Sequence, residues 1–279
     1  MTYCVGLRLD RGIVFASDTR TNAGFDNVAT FSKMHVWERK GDRVLVLMSA
    51  GNLAFTQSIV SMLNERINEV TDASVQSLYT VTTLFQAARL VGETVRELRR
   101  NEKEMIEESP SIFRCSFILG GQIKGEHPRL FQIYEEGNFI EATKDTPYFQ
   151  IGEHKYGKPI LDRVANPTMR MGVAAKLLLI SFDSTMRSNL TVGMPIDLLI
   201  YCKDEFEIRE RRRIEERDPY FRKISNGWSQ ALRDAFTHID EYDGEDDGVE
   251  RPKRPPVALV ESDEEQAQAT AGWFDRADP

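Results

Sequence analysis

The chain is poor in the residues that build metal centres and disulfide frameworks, with three cysteines and four histidines in 279 residues. Cys4, Cys115 and Cys202 lie far apart and none belongs to a C-x-x-C pair, so they read as reduced, buried thiols. The histidines show no H-x-x-x-H spacing, which argues against a zinc site, and no cofactor is expected. No apolar run reaches the ~18 residues that suggest a membrane span. The opening stretch TYCVGLRL is broken by Arg8 and has no basic segment ahead of it, unlike a secretory signal. A cytoplasmic protein with no membrane partner is the expectation.

An excess of basic charge is also lacking. The formal net charge is −8, and residues 240–279 alone carry 13 acidic and 4 basic side chains. The preceding residues are close to neutral, so the acidity belongs to the tail. Neither part has the basic footprint of a nucleic-acid binder. What is present is an ordinary globular mixture, 41% hydrophobic and 29% charged, with ample material for a core.

Residues 2–9 alternate as a strand, Asp10-Arg11-Gly12 reads as a hairpin turn, and Ile13–Ala16 is a second strand ending at Ser17-Asp18. A loop is expected over 19–32. Met34–Trp37 and Val44–Met48 form a further pair of strands closing on Ser49-Ala50-Gly51. Apolar residues at helical spacing predict helices over Phe55–Val70 and Leu78–Leu98. Strands follow at Phe113–Gly120, Arg129–Tyr134, Asn138–Ala142 and Tyr148–Gly152, then helices at Lys158–Val164 and Arg170–Arg187, and a strand at Ile196–Tyr201. Each helix carries an apolar stripe that needs a sheet face. Two sheets stacked between two helix layers, an α+β four-layer αββα sandwich, would bury every stripe. This body spans 2–204. A C-terminal extension over 205–242 carries an alternating stretch at 206–214 and a helical one over Pro219–Phe236, and an acidic tail, expected to be largely disordered, covers 243–279.

The chemistry centres on the chain's start. With Met1 removed, Thr2 would present a hydroxyl nucleophile and, on the same residue, an α-amine that titrates near ~7.7–8.0 when unperturbed. Such a residue needs no histidine to attack an amide. The first hairpin brings residues 2–3 opposite roughly 18–19, which makes Asp18 a neighbour of Thr2. The loop before Lys33 is long enough to return to the same end. Gly51 closes another strand, where a glycine lets a substrate backbone approach.

Thr2-Tyr3-Cys4-Val5-Gly6, Ala16-Ser17-Asp18-Thr19-Arg20, Lys33 before a strand and Ser49-Ala50-Gly51 together resemble the proteasome β-subunit and HslV families of N-terminal nucleophile hydrolases. These stretches and Tyr148–Pro159 are most similar to the bacterial proteasome-like Anbu family. The resemblance covers about residues 2–204. It implies a threonine peptidase acting on peptide or unfolded-protein substrates inside a homo-oligomeric ring or ring-like stack. Thr2 would be the nucleophile and Lys33 the cation that lowers the pKa of its amine. Asp18 would hold Lys33, and the Gly51 N–H would donate to the oxyanion. Asn22 and Gly51 would line the track along which a substrate backbone pairs.

Two stretches depart from the family pattern. Gly152-Glu153-His154 stands where proteasome subunits have a serine near the nucleophile, and Glu153 reads either as a replacement for that serine or, as the favoured expectation, as an exposed loop acid. Ser188-Asn189-Leu190-Thr191 lacks the acid found on the last helix, and Asp183 lies upstream of it. These departures keep open an assembly protein with little hydrolytic activity. A hydrolase of a non-protein amide is a further alternative, and nothing in the sequence specifies an ATPase partner.

Overall fold

In the computed structural model of the chain, residues 2–22, 28–68, 76–108 and 113–242 are described. Strands β1 (Tyr3–Leu9) and β2 (Gly12–Asp18) form the expected hairpin, with Cys4 opposite Ser17 and Leu9 opposite Gly12. Gly12 has φ of 146°, and a Cβ there would lie 2.0 Å from the Tyr201 carbonyl oxygen. Strand β10 (Tyr148–Gly152) pairs with the free edge of β1, and β11 (Ile196–Cys202) with the free edge of β2. Strand β12 (Glu210–Ile214), from the segment after residue 204, pairs with β11 and completes a five-stranded sheet.

The second five-stranded sheet runs in chain order through β5 (Met34–Arg39), β6 (Arg43–Gly51), β7 (Cys115–Ile123), β8 (Arg129–Ile133) and β9 (Phe139–Glu141). Every pairing in both sheets is antiparallel. The loop expected over 19–32 contains a small ribbon of β3 (Arg20–Asn22) and β4 (Val28–Thr30).

Side-chain alternation explains the stacking. On β2, Ile13 and Phe15 face one way and Val14 and Ala16 the other; on β6, Val44, Val46 and Met48 oppose Leu45 and Leu47. The first set of each strand meets between the sheets. The second faces helices. Helices α1 (Leu53–Asn68), α2 (Leu84–Asn101) and α3 (Lys103–Glu108) share a core with the outer face of the second sheet. The first sheet's outer face is covered by α4 (Lys158–Val164), α5 (Met171–Ser188) and, through Phe221 and Ile224, by α6 (Pro219–His238). The result is the four-layer αββα sandwich.

The helix expected from Leu78 starts later. Leu78 and Val81 are buried, but their carbonyls accept the Arg43 guanidinium at 3.1 and 2.7 Å, and Ser77–Thr80 is a turn. Thr83 caps α2 by accepting the Gln86 N–H at 3.1 Å. Burial at helical spacing thus arose from a turn anchored by an arginine. The compact body extends to Ala235, and a second unit begins at Phe236. The acidic tail of 243–279 lies outside the described residues.

Phe15 is the keystone between the sheets. It is fully buried, and a Cβ on Gly120 would come within 2.8 Å of its ring, so the ring occupies space that the glycine leaves open. Phe15→Ala should lower the free energy of unfolding by about 3–5 kcal/mol, read from the shift of the urea midpoint at unchanged slope.

Candidate active site

Thr2 lies at the mouth of β1 and is held by the residues after it. The Tyr3 N–H donates to Asp18 Oδ1 at 2.9 Å, and the Thr2 carbonyl accepts the Glu153 N–H at 2.6 Å. Tyr3 is a plug under α5. Its ring packs on Phe182 with centroids 4.5 Å apart. Its hydroxyl accepts the Gln150 amide at 2.7 Å and lies 3.1 Å from Ser181 Oγ. Burial pushes the Tyr3 phenol well above its ordinary value, so it stays protonated.

Asp18 ends β2 opposite Tyr3, as the hairpin register requires. Its Oδ1 also receives the Lys33 ammonium at 2.7 Å, and Lys33 donates a second bond to the Arg20 carbonyl at 2.6 Å. The pair is desolvated, with side chains only 5% and 0% exposed. Burial raises the Asp18 carboxyl, while the Lys33 ammonium and the N–H groups of Tyr3 and Gly193 pull it down. Of the three ammonium donors of Lys33, two have these partners among the described residues.

Gly51 closes β6 with φ of 122°. A Cβ at this position would stand 2.0 Å from the Arg114 carbonyl oxygen, so only glycine brings β6 and β7 together here. The next residue, Asn52, accepts the Ala54 N–H at 3.0 Å through its side chain and donates its own N–H to the Arg114 carbonyl at 2.7 Å. Helix α1 begins at once, so Gly51 sits at the positive end of a 16-residue helix dipole.

Thr2, Lys33 and Gly51 share one cleft of about 810 Å³. Asp18 lies behind it, bonded to Lys33. Arg20 and Thr21 line one wall, and Arg114, Cys115, Ser116 and the Tyr134–Glu136 hairpin tip line another. Asn22 ends β3, but its side chain lies outside the described residues. Cys115 is no rival nucleophile, since burial pushes its thiol up to about 12. Among the described residues no cluster of His, Cys, Asp or Glu could hold a metal ion, and no helix is long and apolar enough to cross a membrane.

The strands at Arg129–Tyr134 and Asn138–Ala142 marked this hairpin in the sequence, but no local signal put its tip on the cleft. It is placed by a backbone contact between Gly92 of α2 and Gly137, where a Cβ on Gly92 would lie 2.2 Å from the Gly137 carbonyl oxygen. Arg96 donates to the same carbonyl at 2.8 Å.

Glu153 is the main correction. It is buried, with 5% exposure, and is not an exposed loop acid. Its Oε1 accepts the N–H groups of His154 and Lys155 at 2.9 and 2.8 Å, and its Oε2 accepts the Asn189 amide at 2.6 Å. Burial alone would raise this carboxyl; the Lys155, Asn189 and His154 donors outweigh it and hold the group below the usual carboxylate range. Asp183, the acid upstream on α5, is taken up by an ion pair with Arg187 at 3.1 Å.

A family model described as proteasome subunit matches residues 2–200. The chain belongs to the proteasome subunit family. Similar solved structures refine the placement within that family. A Gly-1 mutant of Anbu from Hyphomicrobium sp. strain MC1 is 59% identical, with a TM-score of 0.83 over 88% of this chain and 100% of that one. Anbu from Yersinia bercovieri, described as an ancestral beta-subunit, is 50% identical, with a TM-score of 0.79 over 86% and 98%. The helical assembly of the Anbu complex from Pseudomonas aeruginosa is 45% identical, with a TM-score of 0.80 over 86% and 98%. A search of curated proteins finds no match. In this proteasome-family chain the αββα body therefore follows the Anbu structures, and the resemblance seen in its opening residues extends across the sandwich.

Lys33→Ala leaves the buried Asp18 carboxylate without its cation. Breaking a buried pair in this way should cost about 3–5 kcal/mol at neutral pH. The sign of its pH dependence follows from Asp18. A carboxyl whose folded pKa lies above its unfolded value of ~3.9 holds more protons when folded, so its contribution falls as pH rises through that interval. The Lys33→Ala penalty should therefore be smallest in acid and reach its full size above the folded pKa of Asp18, as read from urea unfolding at a series of pH values.

Proposed function

We propose that the protein is a threonine-type peptidase whose nucleophile is Thr2 after loss of Met1. Thr2 Oγ1 attacks the scissile carbonyl carbon while its proton passes to the Thr2 α-amine. The C–N bond then breaks as that ammonium returns the proton to the leaving amine. Water hydrolyses the resulting ester with the amine again acting as base. Lys33 lowers the amine's proton affinity through like-charge repulsion and keeps one N–H for the nucleophilic oxygen. Asp18 fixes Lys33. The Gly51 N–H, at the α1 N-terminus, receives the oxyanion, a contribution worth about 2.7–4 kcal/mol where such a donor has been removed in other enzymes.

The observation that carries this reading is the double use of Asp18 Oδ1, which binds both the Tyr3 N–H and the Lys33 ammonium. One carboxylate oxygen thereby fixes the chain terminus relative to the cation. The substrate is an extended peptide, pairing with β3 up to Asn22 and with the strand end at Gly51 across the cleft. The relative from Pseudomonas aeruginosa is described as a helical assembly, which supports self-association of this chain into a ring-like or helical stack, acting in the cytoplasm.

The test is mass spectrometry after treatment with a β-lactone. An adduct should appear on a peptide that begins at Thr2 and lacks Met1. Lys33→Ala should slow adduct formation by roughly 10²–10⁴-fold. Retention of Met1 in cells, or an adduct elsewhere on the chain, would overturn the reading. In the first case the assembly role, with little hydrolysis, would stand.

A further inference from the structure

Four strands form the free edges of the two five-stranded sheets, β10 and β12 in the first, β5 and β9 in the second. An uncovered edge offers unpaired main-chain groups to any extended chain, and charged side chains or a very short strand are the usual safeguards. Strand β12 carries Glu210, Arg211, Arg212 and Arg213, β5 ends on Glu38 and Arg39, and β9 is only 3 residues long and ends on Glu141. Strand β10 has no charged residue, and its Tyr148, Phe149 and Ile151 favour extended backbone. The register shows which of its groups are open. The Arg8 N–H donates to the Pro147 carbonyl and the Glu153 N–H to the Thr2 carbonyl. With Tyr3 opposite Gly152 and Leu7 opposite Tyr148, the residues of β10 that bond to β1 are therefore Phe149 and Ile151. The main-chain N–H groups of Tyr148, Gln150 and Gly152 point the other way, where no strand pairs with them among the described residues. This edge borders a trough of about 390 Å³, with Gln132 of β8 and Lys158 of α4 also lining it. Gln150 and His154 line the trough, and Gly152 between them lines the cleft that holds Thr2. The open edge thus leads directly into the cleft.

We propose that the outer edge of β10 is a second peptide-binding site, which adds as a further strand the arm of an unfolded chain that is not held between β3 and Gly51. The proposal rests on the peptidase reading for what enters the cleft, but not for the open edge. Neighbouring strands lie about 4.7–4.9 Å apart, so a strand added beyond β10 runs about 10 Å from β1. About three extended residues cover that distance at ~3.3–3.6 Å each. A very short peptide therefore reaches the cleft alone, whereas an unfolded chain engages both. Pairing through main-chain groups is indifferent to most side chains, so the edge selects extended conformation and length over a particular sequence.

The test uses the full-length Thr2→Ala chain, which lacks the proposed nucleophile, and two probes. Reduced, carboxymethylated lactalbumin supplies an unfolded chain, and tetra-alanine a peptide too short to pass Gly152. Hydrogen exchange, read by mass spectrometry at single-residue resolution, should show the amides of Tyr148, Gln150 and Gly152 slowed about tenfold or more by the unfolded chain and unchanged by tetra-alanine. Two further variants isolate the edge. Gln150→Pro removes one outward N–H and spares the ladder to β1, since proline is tolerated where an edge N–H faces away from the sheet. Gln150→Ala is its control, because both lose the amide that binds the Tyr3 hydroxyl and only Gln150→Pro loses the N–H. The Gln150→Pro chain should bind lactalbumin about three- to tenfold more weakly than the Gln150→Ala chain, the effect of one hydrogen bond. Protection at Gly51 and Asn52 without protection on β10 overturns the proposal, as does equal affinity of the two Gln150 variants or no binding of lactalbumin at all. It is also overturned if the three amides are protected before any probe is added and Gln150→Pro lowers the mass of the particle in solution, since a second copy would then hold the edge. Protected β10 amides with no hydrolysis by the Met1-processed wild type count against the peptidase reading alone.

Discussion

A nucleophile at a chain end, the role proposed for Thr2, has no covalent neighbour on one side, so everything that fixes it has to come from the residues that follow and from the strands beside it. The Asp18–Lys33 pair meets that constraint. Burying two charges is expensive, and a buried ion pair is often no more stabilising than apolar residues of the same shape. The geometry gained is another matter. A single carboxylate oxygen ties the main chain at Tyr3 to the ammonium, and the Tyr3 ring beneath α5 prevents β1 from sliding. The terminus is held by three independent devices: a main-chain bond to β10, a buried ion pair and an aromatic plug.

The sandwich makes this arrangement possible because the ends of several strands converge at one seam. Strand β1 brings Thr2 from the first sheet. Strand β6 brings Gly51 from the second, and α1 starts at that point with its positive end toward the cleft. The far wall comes from the β8–β9 hairpin, which is clipped to α2 where Gly92 meets Gly137. The inter-sheet core around Phe15 therefore does more than stabilise the fold; it also joins the two sheets that carry Thr2 and Gly51 to the cleft.

Much of the site was legible because its parts sit at strand ends, where the position of a residue follows from a short hairpin. Asp18 needed only a hairpin turn to be placed beside Thr2; Lys33 and Gly51 could be set at strand ends, and the family resemblance joined them to the same site. Glu153 and Asn189 were not legible in the same way. They are 36 residues apart and meet only because α5 ends beside β10, an angle that no local pattern encodes. Leu78 and Val81 mimicked a helix because an arginine from another strand pulled their turn into the core. In both cases a polar side chain from a distant element decided the local outcome. The order of layers was readable for the opposite reason, since each strand and helix carries its own record of which face is buried.

The half-buried placement of Thr2 on the cleft wall has a further consequence. Its carbonyl is directed to β10 and its successor's N–H to Asp18, so anything joined ahead of it has the cleft as its way out. On the proposed peptidase reading, a leader or an appended purification tag would compete with substrate for that way out. The uncut chain would then be its own competitor, and trimming of the first peptide bond would act as a single, irreversible safety catch.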